Sequence, residues 1–361
     1  MMQTSPATLR RIVFKWEILL VVFITLVTVV NIQLSPFFLQ GSNLSRTTRD
    51  FMELGIMILP MVYIIITGNI DLSVASIMGM CASFMGLLFM NEWNIWASAG
   101  SGLLLGALAG LLNGVLVAQL KLPALVVTLG TFAFYRGMAF AMLGDDAARG
   151  YPAAFTYLGQ GSIGDTRIPF SLILFLILAL IFGLVLHKTS FGRHLYMIGN
   201  NEQAALYSGI PVKRHKITIF VISGVMSALA GIILAARFGS TRPDIGLGLE
   251  LTVITTTVLG GISILGGSGS MIGAILSLIL IGNMRFGMGL SNIQGQVQDI
   301  VIGLLLILSV MLPFIGRAVP ALVKSPGAIS TRNIVTAIVF LVALTSFITF
   351  FIWSRSLILI D

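Results

Sequence analysis

The chain has 361 residues, of which 57% are hydrophobic and only 9% charged, and its mean hydropathy is +1.02. Soluble globular domains carry about 25% charged residues, so this composition excludes a soluble protein and predicts an integral membrane protein. The net charge of +8 is compatible with nucleic acid as a partner, and the distribution of the basic residues along the chain tests this possibility.

Apolar segments of membrane-spanning length recur along the chain, because a helical span needs about 20 mostly apolar residues. Eleven are predicted, at approximately 14–34, 51–67, 72–90, 97–119, 123–143, 169–187, 217–236, 248–265, 270–290, 296–315 and 334–353. The runs are continuous, whereas a membrane β-barrel alternates apolar and polar residues. The sequence therefore predicts an all-α integral membrane protein, a polytopic helical bundle.

The ends of the first span and the single cysteine add two expectations. The first apolar run is too long for a signal peptide and no small-residue cleavage site follows it, so we expect this helix to be retained. The single cysteine, Cys81, lies in an apolar run and excludes an intramolecular disulfide.

The basic residues gather on one side when the spans are laid out with the amino terminus in the cytoplasm. Twelve of the 21 Lys and Arg residues fall on this side: Arg10, Arg11, Lys15, Lys121, Lys188, Arg193, Lys213, Arg214, Lys216, Arg317, Lys324 and Arg332. The opposite side collects Asp50, Glu92, Asp145, Asp146, Asp165 and Asp244. Cytoplasmic loops of membrane proteins carry an excess of Lys and Arg. The charge therefore predicts a cytoplasmic amino terminus and gives no reason to expect nucleic acid as a partner.

Two glycine-containing segments interrupt the helical pattern, at residues 68–73 and 260–270. Glycine costs about 1 kcal/mol in a helix interior, and irregular backbone inside a membrane survives only where protein or a water-filled cavity satisfies it. Paired interruptions in the two halves of a transporter indicate its translocation path. Alternatively, both segments are tight hairpins at the cytoplasmic side.

Polar and aromatic residues near these interruptions are candidates for the translocation path. Asp71 either lines the path or accepts amide hydrogen bonds at the start of the next helix. Asn113 on the fourth predicted span and aromatic residues on the fifth either contact a sugar-like solute or serve in helix packing. The candidate path residues are Asn69, Asp71, Ser73, Asn113, Phe132, Tyr135 and Ser263.

The long polar segment 187–216 separates two spans and is too large for a turn. Within it, residues 201–208 favour a short helix, because Gly209 is a typical helix terminator and Pro211 cannot continue a helix. A membrane protein that keeps a small helix in the aqueous phase offers it to a soluble partner. We therefore predict a cytoplasmic partner at this segment.

Motifs of enzyme chemistry are missing from the sequence. It has neither a G-x-x-x-x-G-K-[ST] phosphate loop nor H-E-x-x-H, and His187, His194 and His215 lie among basic residues too scattered to predict a metal site. We expect no catalytic residue and no bound cofactor or metal. A proton-coupled carrier would carry buried acidic residues on several of its helices, and the predicted spans show no such pattern. Uphill transport would therefore draw its energy from a partner.

Four motifs in order resemble the permease subunits of bacterial ATP-binding-cassette importers for simple sugars, a group that includes ribose, xylose, rhamnose and autoinducer-2 systems. They are G-N-I-D-L-S-V at 68–74, N-G at 113–114 with T-L-G and R-G at 128–137, G-N-N-E-Q-A-A at 199–205, and G-G-I-S-I-L-G-G-S-G-S at 260–270. The segments 206–212 and 242–246 are most similar to the autoinducer-2 and rhamnose systems. The chain departs from the pattern at Ala75 and in the segment 252–257.

The resemblance implies a ten-span permease domain over 1–315, with a cytoplasmic coupling loop at 187–216. Residues 316–361 are then a cytoplasmic basic linker and an added carboxyl-terminal transmembrane helix. The implied location is the bacterial cytoplasmic (inner) membrane, where the multi-pass chain contacts lipid. The implied coupling residues are Gly199, Asn201, Glu202, Ala204, Ala205, Ser208 and Gly209.

The resemblance also implies partners. A cytoplasmic ATPase would bind ATP and magnesium, a periplasmic or extracellular sugar-binding protein would deliver solute, and a second permease, identical or paralogous, would complete the path. Ala204 and Ala205 would allow close approach of the ATPase, while Glu202 would contact a basic residue there or stabilise the helix start. The residues alone leave two other readings open. One is an ion-coupled secondary carrier for a small polar solute, and the other is a non-transporting membrane receptor or scaffold, which would explain the polar segment but not the paired glycine interruptions.

Overall fold

The structure, a computed structural model, describes residues 16–305 together with 307 and 311. The basic linker, the predicted carboxyl-terminal span at 334–353 and the basic residues Arg10, Arg11 and Lys15 lie outside the described residues, so these predictions stay predictions. The described part is a helical bundle with one short two-stranded sheet.

The elements follow one another with short connections. In chain order they are α1 (Trp16–Leu34), α2 (Gly41–Ile66), α3 (Val74–Met90), α4 (Ile95–Ala118), α5 (Ala124–Leu143), β1 (Ala148–Arg149), α6 (Ala153–Gln160), α7 (Phe170–Lys188), α8 (Ser190–Asn200), α9 (Glu202–Tyr207), α10 (Val212–Phe238), β2 (Ser240–Thr241), α11 (Leu249–Leu259), α12 (Met271–Leu290) and α13 (Gly295–Leu305).

Six of the described helices, α1, α4, α5, α7, α10 and α12, are long and apolar enough to cross a membrane, while α3, α11 and α13 are apolar but shorter. The chain is a multi-pass membrane protein, as predicted. The count of ten spans in the core stays a prediction, because the length and composition of these helices do not fix it.

Helix α2 forms the centre of the bundle. Every residue from Met52 to Ile66 is buried, which is the pattern of a helix surrounded by other helices. Its Tyr63 hydroxyl donates to the carbonyl of Phe182 on α7 at 2.6 Å. By contrast, α4 leaves Leu104 and Leu108 more than half exposed, and this face is available to lipid.

Helices α4 and α10 pack closely through small residues. A Cβ at Gly114 would lie 2.9 Å from the Cα of Ile217, so the two backbones almost touch. Close approach through small residues is the usual way in which membrane helices associate. The glycine after Asn113 is therefore explained by packing alone.

The bundle has two distinct ends. At one end, β1 pairs with β2, with Ala148 opposite Thr241, and Arg49 donates to the hydroxyl of Ser162 at 2.7 Å. The segment between α5 and α7 also contains α6, which the sequence did not predict. This end holds the predicted outer loops, and the opposite end holds α8 and α9.

The eighth predicted span differs from the structure in extent. Helix α11 stops at Leu259 rather than near residue 265, and Gly261 follows with a φ of +86°. This left-handed conformation ends the helix and is easily adopted only by glycine. Residues 260–270 then form an irregular segment before α12.

Candidate coupling site and translocation path

The segment 187–216 is mostly helical rather than an extended loop. Helix α7 runs to Lys188 and α8 begins at Ser190, where the side chain of Thr189 caps it by accepting from the amide of Gly192. Helix α10 begins at Val212, five residues before the predicted span. The amphipathic α8 was not predicted, because the whole polar segment was interpreted as a loop, although Phe191, Leu195 and Ile198 recur at helical spacing.

The short helix predicted at 201–208 is present as α9. Asn201 caps it, accepting from the amide of Ala204 at 2.9 Å. Gly209 follows with a φ of +80°, and its amide donates to the carbonyl of Leu206 at 3.0 Å. This is the αL ending that favours glycine, so the predicted role of Gly209 as the helix terminator is confirmed.

Helix α9 presents one apolar face to the protein and one to the surroundings. Ala205 is only 2% exposed and packs with Ile198, Ile210 and Val212. Its side chain therefore adds almost no exposed surface to α9, and its predicted role in the close approach of a partner stays a prediction. Ala204 and Ser208, with Asn201 and Glu202, are exposed.

Tyr207 is the residue of α9 that the sequence analysis missed. It is 87% exposed, and the neighbouring Leu206 is 58% exposed. Large apolar groups held out on a rigid turn are typical anchors of protein interfaces. No signal in the sequence indicates this, because the outward position of Tyr207 follows from the burial of Ala205, which only the fold establishes.

Internal contacts hold α8 and α9 against α10. The carboxylate of Glu202 accepts from Lys216 Nζ at 2.7 Å, so the basic residue that Glu202 contacts lies in the same chain. The ring of Phe191 stacks on that of His215, with centroids 5.1 Å apart. His194 Nδ1 lies 3.1 Å from His215 Nε2. Movement of α9 would therefore be transmitted to the start of α10.

Helix α8 also contacts both glycine interruptions at once. The Gly267 amide donates to the carbonyl of Ile66 at 2.8 Å, which ties the second interruption to the end of α2. A Cβ on Gly266 would lie 2.9 Å from the carbonyl oxygen of Gly199 and 2.9 Å from the amide nitrogen of Gly68. We call Gly68, Gly199, Gly266 and Gly267 the glycine junction.

The glycine junction is further held by a side chain of α8. The Tyr196 hydroxyl donates to the carbonyl of Gly269 at 2.8 Å, and burial raises the pKa of this phenol. The junction thus joins α2, α8 and the segment before α12 through backbone contacts. Such contacts leave little space for one element to move alone.

Four predicted or neighbouring polar residues form a buried polar cluster made of Asp71, Ser73, Asn113 and Ser223. The Asp71 carboxylate accepts from the amide and the hydroxyl of Ser73 at 2.9 and 2.6 Å. Its other oxygen accepts from the Ser223 hydroxyl at 3.1 Å. Asn113 Nδ2 donates to Ser73 Oγ at 2.8 Å. Asp71 therefore accepts an amide hydrogen bond beside the start of α3 and also binds α10.

The other predicted path residues surround this cluster or lie away from it. Tyr135 is buried, and its hydroxyl donates to the carbonyl of Ala109 at 2.9 Å. Asn69 Nδ2 donates to Thr67 Oγ1 at 2.9 Å. Phe132 is half-buried on α5, and Ser263 lies in the turn of the second interruption. Their role in solute passage stays a prediction.

Arg136 is an additional buried residue whose function the sequence did not indicate. Its guanidinium donates to the carbonyls of Pro243 at 2.9 Å, Ile245 at 3.0 Å and Ala75 at 3.1 Å. It therefore joins α5 to α3 and to the loop before α11. Ala75, one of the departures from the family pattern, contributes its backbone carbonyl to this contact.

Comparison with known proteins agrees with this architecture. A family described as "Branched-chain amino acid transport system / permease component" matches residues 43–310. The Autoinducer 2 import system permease protein LsrD of Escherichia coli (strain K12) is 38% identical over 315 residues, covering 86% of this chain and 94% of that protein. The same-named protein of Shigella flexneri shows the same values, and that of Escherichia coli O157:H7 is 37% identical over the same shares.

No solved structure matched the chain, so the family assignment depends on sequence. The family match covers far more than half of the residues, and the alignment with the relatives covers 86% of the chain. The chain therefore belongs to this family of transport-system permeases, and its resemblance to the permease subunits of sugar and autoinducer-2 ATP-binding-cassette importers is confirmed.

Proposed function

We propose that this chain is the membrane subunit of a bacterial importer in which a partner ATPase drives alternating access for a sugar-like solute. The ATPase would bind ATP and magnesium, and this chain would bind neither. The observation that carries the proposal is the glycine junction, through which the exposed α8–α9 segment contacts both helix interruptions. A soluble protein that moves this segment acts directly on the membrane core.

Only a few residues separate the exposed surface of α9 from the glycine junction and the buried polar cluster, so a movement of α9 can be transmitted to that cluster through direct contacts. The coupling residues Asn201, Glu202, Ala204 and Ser208 are exposed on α9, and Gly199 lies in the junction two residues before. From the junction, residues 68–71 lead directly to the buried polar cluster. A conformational change requires two arrangements that the partner binds differently, and closely packed backbone favours discrete arrangements over gradual deformation.

The remaining partners follow from this assignment. The distribution of basic residues supports a cytoplasmic location for α8, α9 and the amino terminus, and the opposite end would then receive solute from a periplasmic or extracellular binding protein. A second permease, identical or paralogous, would complete the path within the cytoplasmic membrane. The relatives named as autoinducer 2 import permeases support a neutral, sugar-like solute of that class or a rhamnose-like sugar.

Reconstitution tests the proposal. Proteoliposomes that contain the permease, its ATPase and its binding protein should accumulate solute only with ATP and magnesium. The matched control contains an ATPase variant that cannot hydrolyse ATP, and it should give no accumulation. Uptake by the permease alone, driven by an ion gradient, would instead establish the secondary carrier and refute the proposal.

A further inference from the structure

A charged cavity lies at the end of the bundle opposite α8 and α9, outside the buried polar cluster and the predicted path residues. Its volume is about 290 Å³, and α2, α10, α11 and α12 contribute to its walls. Ligand pockets typically measure about 300–1,000 Å³, so this cavity lies just below that range and has room only for a small solute. In the proposed orientation it faces the outside of the cell.

Ion pairs between α2 and α10 form one side of the cavity. Arg237 Nε donates to the carboxylate of Glu53 at 2.8 Å, and Arg237 also pairs with Asp50. Glu53 has only 2% of its side chain exposed, whereas 45% of the Asp50 side chain is exposed. The Arg237 guanidinium also lies 4.6 Å from the ring centroid of Phe238. The Glu53–Arg237 pair is therefore held inside the bundle, while the Asp50 carboxylate is accessible to a solute.

A second guanidinium lies across the cavity on α12. Arg285 donates to Asp299 at 2.8 Å and lies 3.5 Å from the hydroxyl of Thr252. Its Nε is buried and has no hydrogen-bond partner within the described residues. A solute does not reach this buried nitrogen, but 24% of the Arg285 side chain is exposed, and this part of the group can donate to an acceptor in the cavity.

The charges of the lining cancel. It carries the carboxylates of Asp50 and Glu53 and the guanidinium groups of Arg237 and Arg285, so the formal charges of the lining side chains sum to zero. A neutral solute with several hydroxyl groups can donate to the carboxylates and accept from the guanidinium groups, and such charge-assisted hydrogen bonds are the stronger kind. Phe51 and Phe238 add apolar faces to the lining.

We propose that this cavity is the site where the permease first receives its solute, and that it selects neutral polyhydroxylated molecules over charged ones. The inference rests on the proposed function for its direction, from the outside inward, and it adds a binding site that the predicted path residues do not include. The binding itself needs no ATPase and can be measured on the permease alone.

Thiol protection tests this site. Cys81 is the single cysteine of the chain and is buried, so Leu247→Cys, at a lining residue that is 62% exposed, introduces one reactive thiol at the cavity. D-Ribose, D-xylose and L-rhamnose are the neutral probes, with D-ribose 5-phosphate and D-glucosamine as charged ones. At least one neutral sugar should slow labelling by a small thiol reagent, and the charged compounds should not.

Matched variants assign the protection to the cavity. Asp50→Asn should raise the sugar concentration for half-protection about tenfold or more, since it weakens a hydrogen bond to a charged group. Asp244→Asn should leave it unchanged, because Asp244 is exposed to the same degree, 46% against 45%, and is also paired with an arginine, but lies outside the lining. Ile163→Cys, an exposed position away from the cavity, should label at a rate that no sugar alters.

Three results would overturn the inference. They are a thiol at residue 247 that no sugar protects, protection by the charged compounds as well, and a thiol that fails to label without sugar because another chain or lipid covers it. These results concern the permease alone. The proposed function fails separately, when the complete wild-type complex does not accumulate solute with ATP.

Discussion

The substitution Gly199→Ala isolates the contribution of the glycine junction. A Cβ on Gly199 would collide with the carbonyl of Ile66 and with the amide of Gly267. Both obstacles are backbone atoms, so a side-chain rotation cannot relieve the collision. The two groups are also hydrogen-bonded to each other at 2.8 Å, and the methyl group would have to separate α8 from them.

The expected destabilisation follows from three terms. Overpacking costs about 1–3 kcal/mol, a weakened hydrogen bond adds about 0.5–1.5 kcal/mol, and the better helix propensity of alanine returns about 1 kcal/mol. The net loss is roughly 0.5–3.5 kcal/mol. At about 2 °C per kcal/mol for a large domain, the apparent melting temperature in detergent should fall by roughly 1–7 °C.

Transport gives the second readout. In proteoliposomes with the ATPase and binding protein, Gly199→Ala should reduce solute uptake much more than ATP hydrolysis, because the ATPase would still bind α9 while its movement no longer reaches α2. Gly100→Ala is the matched control, since Gly100 is also helical and a Cβ there meets no atom within 4 Å. The reasoning is refuted if Gly199→Ala shows wild-type uptake per ATP hydrolysed.

Three further predictions concern α9 and the buried polar cluster. Tyr207→Ser should reduce binding of the ATPase in pull-down and abolish uptake with no change in melting temperature, whereas Leu120→Ser, another exposed apolar residue, should leave both unchanged. Glu202→Lys should lower uptake by placing two cations together, and Lys216→Glu in the same chain should restore it; an unrescued double variant would contradict a role for this ion pair, whose stabilisation is at most about 1 kcal/mol. Asp71→Asn should keep a near wild-type melting temperature because its amide oxygen still accepts from the helix start, while Asp71→Ala should lower it by several degrees, and equal losses would contradict this role.

The sequence alone predicted the apolar helices of the bundle and the extent of α9, because both depend on local properties. Length and continuous apolarity indicated the spans, and Gly209 followed by Pro211 defined the end of the short helix. The sequence could not predict that residues 68 and 266 meet at Gly199, since nothing local connects positions about 70 to 200 residues apart. The burial of Ala205 could not be predicted for a similar reason, because it depends on Ile210 and Val212 folding back onto α9.

The charged cavity was missed because its parts look ordinary in the sequence. Glu53 follows a polar stretch at the start of α2, and Arg237 closes a long apolar helix. Each resembles a residue at a membrane surface. Only the fold places Glu53 inside the protein beside Arg237, and pairing is what makes such a buried charge tolerable.

Two helices connect the coupling site to the cavity, and this arrangement makes alternating access physically reasonable. Helix α2 carries Ile66 in the glycine junction and Glu53 at the cavity, about 20 Å apart at 1.5 Å per residue. Helix α10 carries Lys216 against α9 and Arg237 at the cavity. A displacement of α2 relative to α10 at the cytoplasmic end would therefore have to strain or break the Glu53–Arg237 pair at the outer end, unless α2 bends at Pro60, the proline in its interior. The same ion pair that lines the cavity is thus the contact through which the ATPase could change its shape.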